Sequence, residues 1–207
     1  KTGGNVLVVA PLAVTHQIIR EGQKFGYVTR LCRKQEDVRS GINITNYEML
    51  HHFEPDKFTG IVIDESGILK SFTGKYRTQM IEMFKDTPYK LSATATPAPN
   101  DYMELGNHAE FTGVMTRTEM LSTFFVHDGG NTGKWRLKGH AEDEFWKWIA
   151  TWAVVLEKPS DLGYSDDGFI LPALNIHETI VKSPKDPFCL IPQIAQTLQE
   201  RRQARRD

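Results

Sequence analysis

Little in this 207-residue chain is extreme, and each shortage removes a class of protein. Two cysteines, Cys32 and Cys189, stand far apart without a CxxC pair, which excludes a disulfide framework and a zinc knuckle. The longest apolar run, Asn5 to Val14, is interrupted by Pro11 and is far short of a bilayer span. Neither sign of charge dominates: 25 Lys and Arg face 26 Asp and Glu, so any nucleic-acid contact must come from a local face. Histidine is scattered without ligand spacing, and His51-His52 is assigned no role. The chain opens on Lys1-Thr2-Gly3-Gly4 with no starting Met and no signal peptide, which reads as a piece of something longer. What is present, 40% hydrophobic and 25% charged residues, suffices for a packed globular core.

The first hundred residues alternate short apolar runs with helical stripes. Val6–Ala10 and Gly60–Ile63 are wholly apolar, as strands buried on both faces are. Tyr27–Cys32, Ile42–Thr45 and Tyr89–Ser92 read as further strands, with helices over residues 13–25 and 75–85. The alternation predicts a parallel α/β sheet with right-handed crossovers. Beyond Glu104 the pattern becomes helical, over residues 117–126 and 142–156. A Gly- and Lys-rich loop over residues 127–140 lies between them, and a Pro/Gly/Asp-rich connector over 156–174 follows. Ala173–Val181 alternates like a strand, and residues 189–207 read as a helix rich in arginine. The expected organisation is therefore residues 1–110 as an α/β lobe, 111–174 as helical extension and connector, and 175–207 as strand and basic helix.

Chemistry concentrates at Asp64-Glu65, two carboxylates closing an apolar strand. Ligands of α/β sheets bind at such strand ends, and buried acids are costly unless they have work to do. A hard cation such as Mg²⁺ wants one or two carboxylates, and the neighbouring acid can position a water. Helix capping by Asp64 with a solvated Glu65 is the plain alternative. Glu65-Ser66-Gly67 is not a nucleophile elbow, because the position two before the serine is Asp64 rather than glycine. Ser92-Ala93-Thr94-Ala95-Thr96-Pro97 places small hydroxyls at another strand end. Lys134, Arg136 and Lys138 around Trp135 fit either a nucleic-acid loop or a plain hairpin. Trp146, Trp148 and Trp152 read as helix packing, and Arg201, Arg202, Arg205 and Arg206 as a solvated face.

In order, these segments resemble the first motor lobe of superfamily-two helicases and translocases, the Swi/Snf-type branch above all. Val6–Val14 resembles motif Ia, Thr45-Asn46-Tyr47-Glu48 the T-x-Y-E motif Ib, Asp64-Glu65-Ser66-Gly67 the DEAD/DEAH box, and Leu91–Pro97 motif III. Pro99-Asn100-Asp101 with Glu104-Leu105 mirrors the run that follows motif III, and the wording of residues 92–128 looks most like phage and prophage members. The resemblance implies a RecA-like, P-loop NTPase fold with a mainly helical C-terminal extension, and ATP and Mg²⁺ as cofactors. It implies that Asp64 holds Mg²⁺ through water and Glu65 polarises the attacking water. It assigns Pro11, Leu12, Thr45 and Asn46 to the nucleic-acid track, and Ser92, Ala93, Thr94 and Thr96 to coupling. The implied partners are DNA, duplex before single-stranded, and a second RecA-like lobe of the same polypeptide. No membrane is implied; the setting would be cytoplasmic, in a bacterial host if phage-encoded.

Departures accompany the matches. The fourth box position is Gly67, and no G-x-x-x-x-G-K-[ST] occurs; Gly74-Lys75-Tyr76 and Gly133-Lys134-Trp135 lack its Ser or Thr. The phosphate loop is read as lying upstream, and the arginine finger in the second lobe. A lobe retired from catalysis but kept to grip DNA, or a metal-dependent nuclease or phosphatase, remains an alternative. The motor reading predicts no ATP hydrolysis above background by residues 1–207 alone; measurable turnover in a phosphate-release assay would contradict it.

Overall fold

The computed structural model describes residues 3–70, 75–127 and 135–178. The chain divides into two units, Lys1–Val154 and Val155–Asp207. No helix among the described residues is long and apolar enough to cross a membrane.

The first unit is built on β1 (Val6–Ala10), β2 (Thr29–Leu31), β3 (Ile42–Asn46), β4 (Gly60–Ile63) and β5 (Tyr89–Ser92). All pair in parallel, in the order β2-β3-β1-β4-β5. The five expected strands therefore stand where the apolar runs put them, and the expected α/β fold is observed. Side chains alternate between faces, so Leu7, Val9, Ile61 and Ile63 share one face. That face is sealed by Met80 of α2 (Lys75–Met83), Phe84 just beyond it, Phe111 of α3 (Leu105–Thr112) and Leu50, each no more than 1% exposed. Helix α1 (Leu12–Lys24) covers the opposite face beside β2, where Thr29 Oγ1 reaches Ile19 O at 3.5 Å. Farther along that face the described residues give less cover. Val8 and Val62 are half-buried, and the in-register Leu91 and its neighbour Tyr89 are each 57% exposed.

A second core joins α3 to α4 (Arg117–Phe124), the antiparallel hairpin β6 (Phe125–His127) with β7 (Trp135–Leu137), and α5 (Glu142–Ala150). Thr116 and Glu119 cap α4 reciprocally. Gly106 lets α4 approach α3, since a Cβ there would come 2.8 Å from Met120 Cε and 2.9 Å from Arg117 Cγ. Fully buried Phe145 is ringed by Tyr102, Phe124, Phe125, Trp146 and Trp148, with centroids 5.2–6.5 Å away.

Three sequence expectations change here. The helix expected over 117–126 ends at Phe124, because Phe125-Val126-His127 pairs with Trp135–Leu137 and makes part of the 127–140 loop a hairpin. The helix expected to residue 156 ends at Ala150, before the β-branched Val154-Val155. Of the two readings left open for Arg136 and Lys138, the hairpin is the one observed, with Lys138 donating to Ser122 O (2.9 Å) and Thr123 O (2.8 Å) at the end of α4. In the second unit, Ala173–Glu178 forms no strand; Leu174 and Ile176 are exposed, and alternation without a pairing edge does not make one. Residues 179–181, the helix expected over 189–207 with its arginines, and Lys134 lie outside the described residues. Trp148 and Trp152 pack on the second core as expected, whereas Trp146 is 39% exposed.

Phe145→Ala is expected to cost about 3–5 kcal/mol by opening a cavity among five rings, read as a lower unfolding midpoint. Trp146→Ala should cost well under half of that.

Candidate functional site

Parallel pairing sends every strand's C-terminal end to one edge of the sheet. Val9 lies in register with Thr45 and Ile63, and Ile63 with Ser92. The residues that follow, Ala10-Pro11, Asn46-Tyr47, Asp64-Glu65 and Ala93-Thr94, therefore line that edge together. Sheet hydrogen bonding continues past the strands: Asp64 N–H donates to Val9 O (2.9 Å), Ala93 N–H to Ile63 O (2.8 Å) and Ser66 N–H to Ala93 O (2.9 Å).

Within that frame Glu65 has φ +53°, the one non-glycine residue with positive φ among the described residues. The left-handed region costs an L residue about 1–2 kcal/mol. The Tyr47 hydroxyl donates to Asp64 O at 2.6 Å. Burial, then the Asp64 and Glu65 charges, push the Tyr47 phenol well above its usual range, so it remains a donor. Asp64 is half-buried and Glu65 exposed, and no cation of the described residues forms an ion pair with either. Two uncompensated carboxylates on a pinned backbone are the donor chemistry a hard divalent cation takes. Among the described residues, no three His, Cys, Asp or Glu converge as a metal centre.

The other residues singled out in the sequence differ in accessibility. Pro11 is the N-cap of α1, Leu12 is 62% exposed, and the first turn carries no acid. Val14 N–H already donates to Pro11 O (3.0 Å), which leaves the Leu12 and Ala13 N–H groups as the orphans that could meet an anion. Thr45 is fully buried and Asn46 is 6% exposed, with its amide spent on the Glu48 carboxylate. Both side chains are thus buried rather than exposed at the surface of the edge. Ser92 is half-buried, its Oγ 3.4 Å from His108 Nδ1 on α3. Ala93 and Thr96 are exposed and Thr94 is half-buried, with Thr94 Oγ1 accepting from Thr96 N–H at 3.1 Å. Asn100 Nδ2 donates to the buried Glu104 (2.9 Å), which fixes the return from this loop into α3.

Sequence reasoning passed over Tyr47 and His108. Tyr47 stands inside the T-x-Y-E pattern, but its hydroxyl's partner lies 17 residues away, just past the end of β4. His108 carries no local signal beyond its place on a helix.

Among solved structures, the fold is similar to the Sulfolobus solfataricus SWI2/SNF2 ATPase core in complex with dsDNA, with TM-score 0.56 and 21% identity. The match covers 73% of this chain and 33% of that one, so this chain spans about a third of that protein's length. The likeness is one of fold, a RecA-like α/β lobe. No family model and no curated protein matches the chain.

Glu65→Gly should relieve the left-handed strain, offset in part by glycine's greater chain entropy. The expected net gain is about 0.5–1 kcal/mol, a Tm rise of roughly 1–4 °C for a chain of this size. A fall in Tm on calorimetry would show that φ at Glu65 carries no strain.

Proposed function

We propose that this chain is most of the first motor lobe of an ATP-dependent DNA translocase of the Swi/Snf type. The observation that carries the reading is the register of β1, β4 and β5, which aligns Pro11, Asp64-Glu65 and Ser92-Ala93 along one edge. Track, hydrolysis and coupling need to be neighbours in a motor, and here three short segments distant in sequence are neighbours.

The face of Leu91 and Tyr89 also supports the reading. A parallel sheet of this class is covered on both faces, yet among the described residues Leu91 and Tyr89 are each 57% exposed. A strand beyond β5 that reached β1 by a right-handed crossover would lay its helix over these side chains. A phosphate-binding loop at the end of that strand would stand at the same edge as Asp64.

In this reading Asp64 holds Mg²⁺ through water, and the ion would neutralise phosphate charge on ATP. Glu65 orients and polarises the attacking water. Ser92 and Thr94, with Ala93 and Thr96 in the same loop, carry loss of the γ-phosphate to the track. Pro11 and Leu12 present the start of α1 to a DNA phosphate, while Thr45 and Asn46 stiffen the adjoining edge. Duplex DNA is the proposed track; the SWI2/SNF2 core of similar fold is in complex with dsDNA. A second RecA-like lobe of the same polypeptide would supply the arginine that completes the site.

The test is ATP turnover by the full-length protein with and without duplex DNA, for wild type and Glu65→Gln. The expected result is DNA-dependent turnover that falls by about 10²–10⁴-fold in the variant, with DNA affinity retained. DNA binding without turnover in the wild type would instead identify a retired lobe kept for its grip.

A further inference from the structure

The residue on which the proposed hydrolysis turns is held in a conformation its side chain disfavours, so something must hold it. Hydrogen bonds reach the Asp64–Ser66 backbone from three sides: Asp64 N–H to Val9 O, Ser66 N–H to Ala93 O, and Tyr47 Oη to Asp64 O. The first two are main-chain bonds that any sequence would make in this sheet. The third is made by a side chain, at 2.6 Å. Its acceptor matters, because Asp64 O belongs to the peptide plane about which φ of Glu65 is measured. Fixing that oxygen fixes the plane, leaving Glu65 less freedom to rotate out of the left-handed region.

We infer that Tyr47 is a positioning residue: its hydroxyl, by holding the Asp64–Glu65 peptide, keeps Glu65 in its strained conformer and so aims the carboxylate. Packing alone does not require the hydroxyl. The ring, 7% exposed, belongs to the core beside Leu50 and Leu69, and phenylalanine would fill the same space. The bond also crosses between segments of different proposed duty, from the end of β3 on the track side to the end of β4 at the acids. Tyr47 further lines a surface groove of about 680 Å³ with Glu48, His51, Tyr76, Thr78 and Gln79. The consequence for turnover rests on the function proposed above; the consequence for the backbone does not.

Two experiments separate these. On the 207-residue chain, Tm is measured for wild type, Tyr47→Phe, Glu65→Gly and the double variant. If Tyr47 holds the strain, losing the hydroxyl lets Glu65 relax, and the Tm gain from Glu65→Gly shrinks to less than half in the Tyr47→Phe background. An equal gain in both backgrounds overturns the inference. In the full-length protein, Tyr47→Phe is expected to lower DNA-stimulated kcat about tenfold, with KM for ATP and DNA affinity within twofold. A kcat within twofold of wild type, or a KM rising in parallel, overturns the role in turnover. Wild-type protein with no DNA-stimulated turnover would overturn the functional reading, and the Tm comparison would then decide the inference by itself.

Discussion

The acidic edge depends on the hydrogen-bond register between β1, β4 and β5. Parallel strands deliver equivalent ends to the same side, and the ladder fixes which residue emerges beside which. Because Val9 faces Ile63 and Ile63 faces Ser92, the chain leaves the sheet as Ala10-Pro11, Asp64-Glu65 and Ala93-Thr94 at one level. Displacing β4 by one residue would turn Ile61 and Ile63 out of the core and remove both acids from their neighbours. Apolar packing against Met80, Phe84 and Phe111 therefore enforces the geometry of polar residues it never touches.

Rigid backbone and accessible side chains divide the work at that edge. The amides of Asp64, Ser66 and Ala93 are all spent on neighbouring carbonyls, which ties the loop to β1, β4 and β5. The Asp64 and Glu65 carboxylates take no ion pair from the described residues. In the proposed motor, groups fixed in advance in this way would avoid reorganisation when charge develops. The cost is visible in the left-handed Glu65, with φ +53°. Strain at a residue fixed on both sides is stored by the sheet rather than released, and it fixes the direction in which a side chain leaves the backbone.

How much of this was legible in the sequence follows from how local each signal is. Val6–Ala10 and Gly60–Ile63 declared themselves because a strand buried on both faces needs unbroken apolar residues. Asp64-Glu65 stood out because acids seldom end such a run. What escaped was non-local. Nothing near Thr45 in the sequence says that its side chain is fully buried; that follows from its place in the sheet beside Val9 of β1. Phe124-Phe125-Val126 continues a helical stripe on paper, yet the chain turns at Phe125 because Trp135–Leu137 offers it a partner. Lys138 has the composition of a phosphate contact, and only the proximity of the α4 terminus diverts it to Ser122 and Thr123.

The distribution of exposed apolar surface bears on how such a lobe is stabilised. On the face sealed by α2 and α3 the core is complete, with Leu7, Val9, Ile61 and Ile63 at most 1% exposed. On the other face, Leu91 and Tyr89 lie open beside half-buried Val62 and Val8. Burying the exposed half of side chains of that size would stabilise by about 1 kcal/mol each, a noticeable fraction of a typical domain's net stability. A helix arriving over this face would thus do two things at once. It would complete the core at β4 and β5, and it would bring its own N-terminus, with unpaired N–H groups, to the edge where Asp64 and Glu65 stand. Stability and anion binding would then come from the same element, because in a parallel sheet the helix that leads into a strand starts at the edge where the strands end.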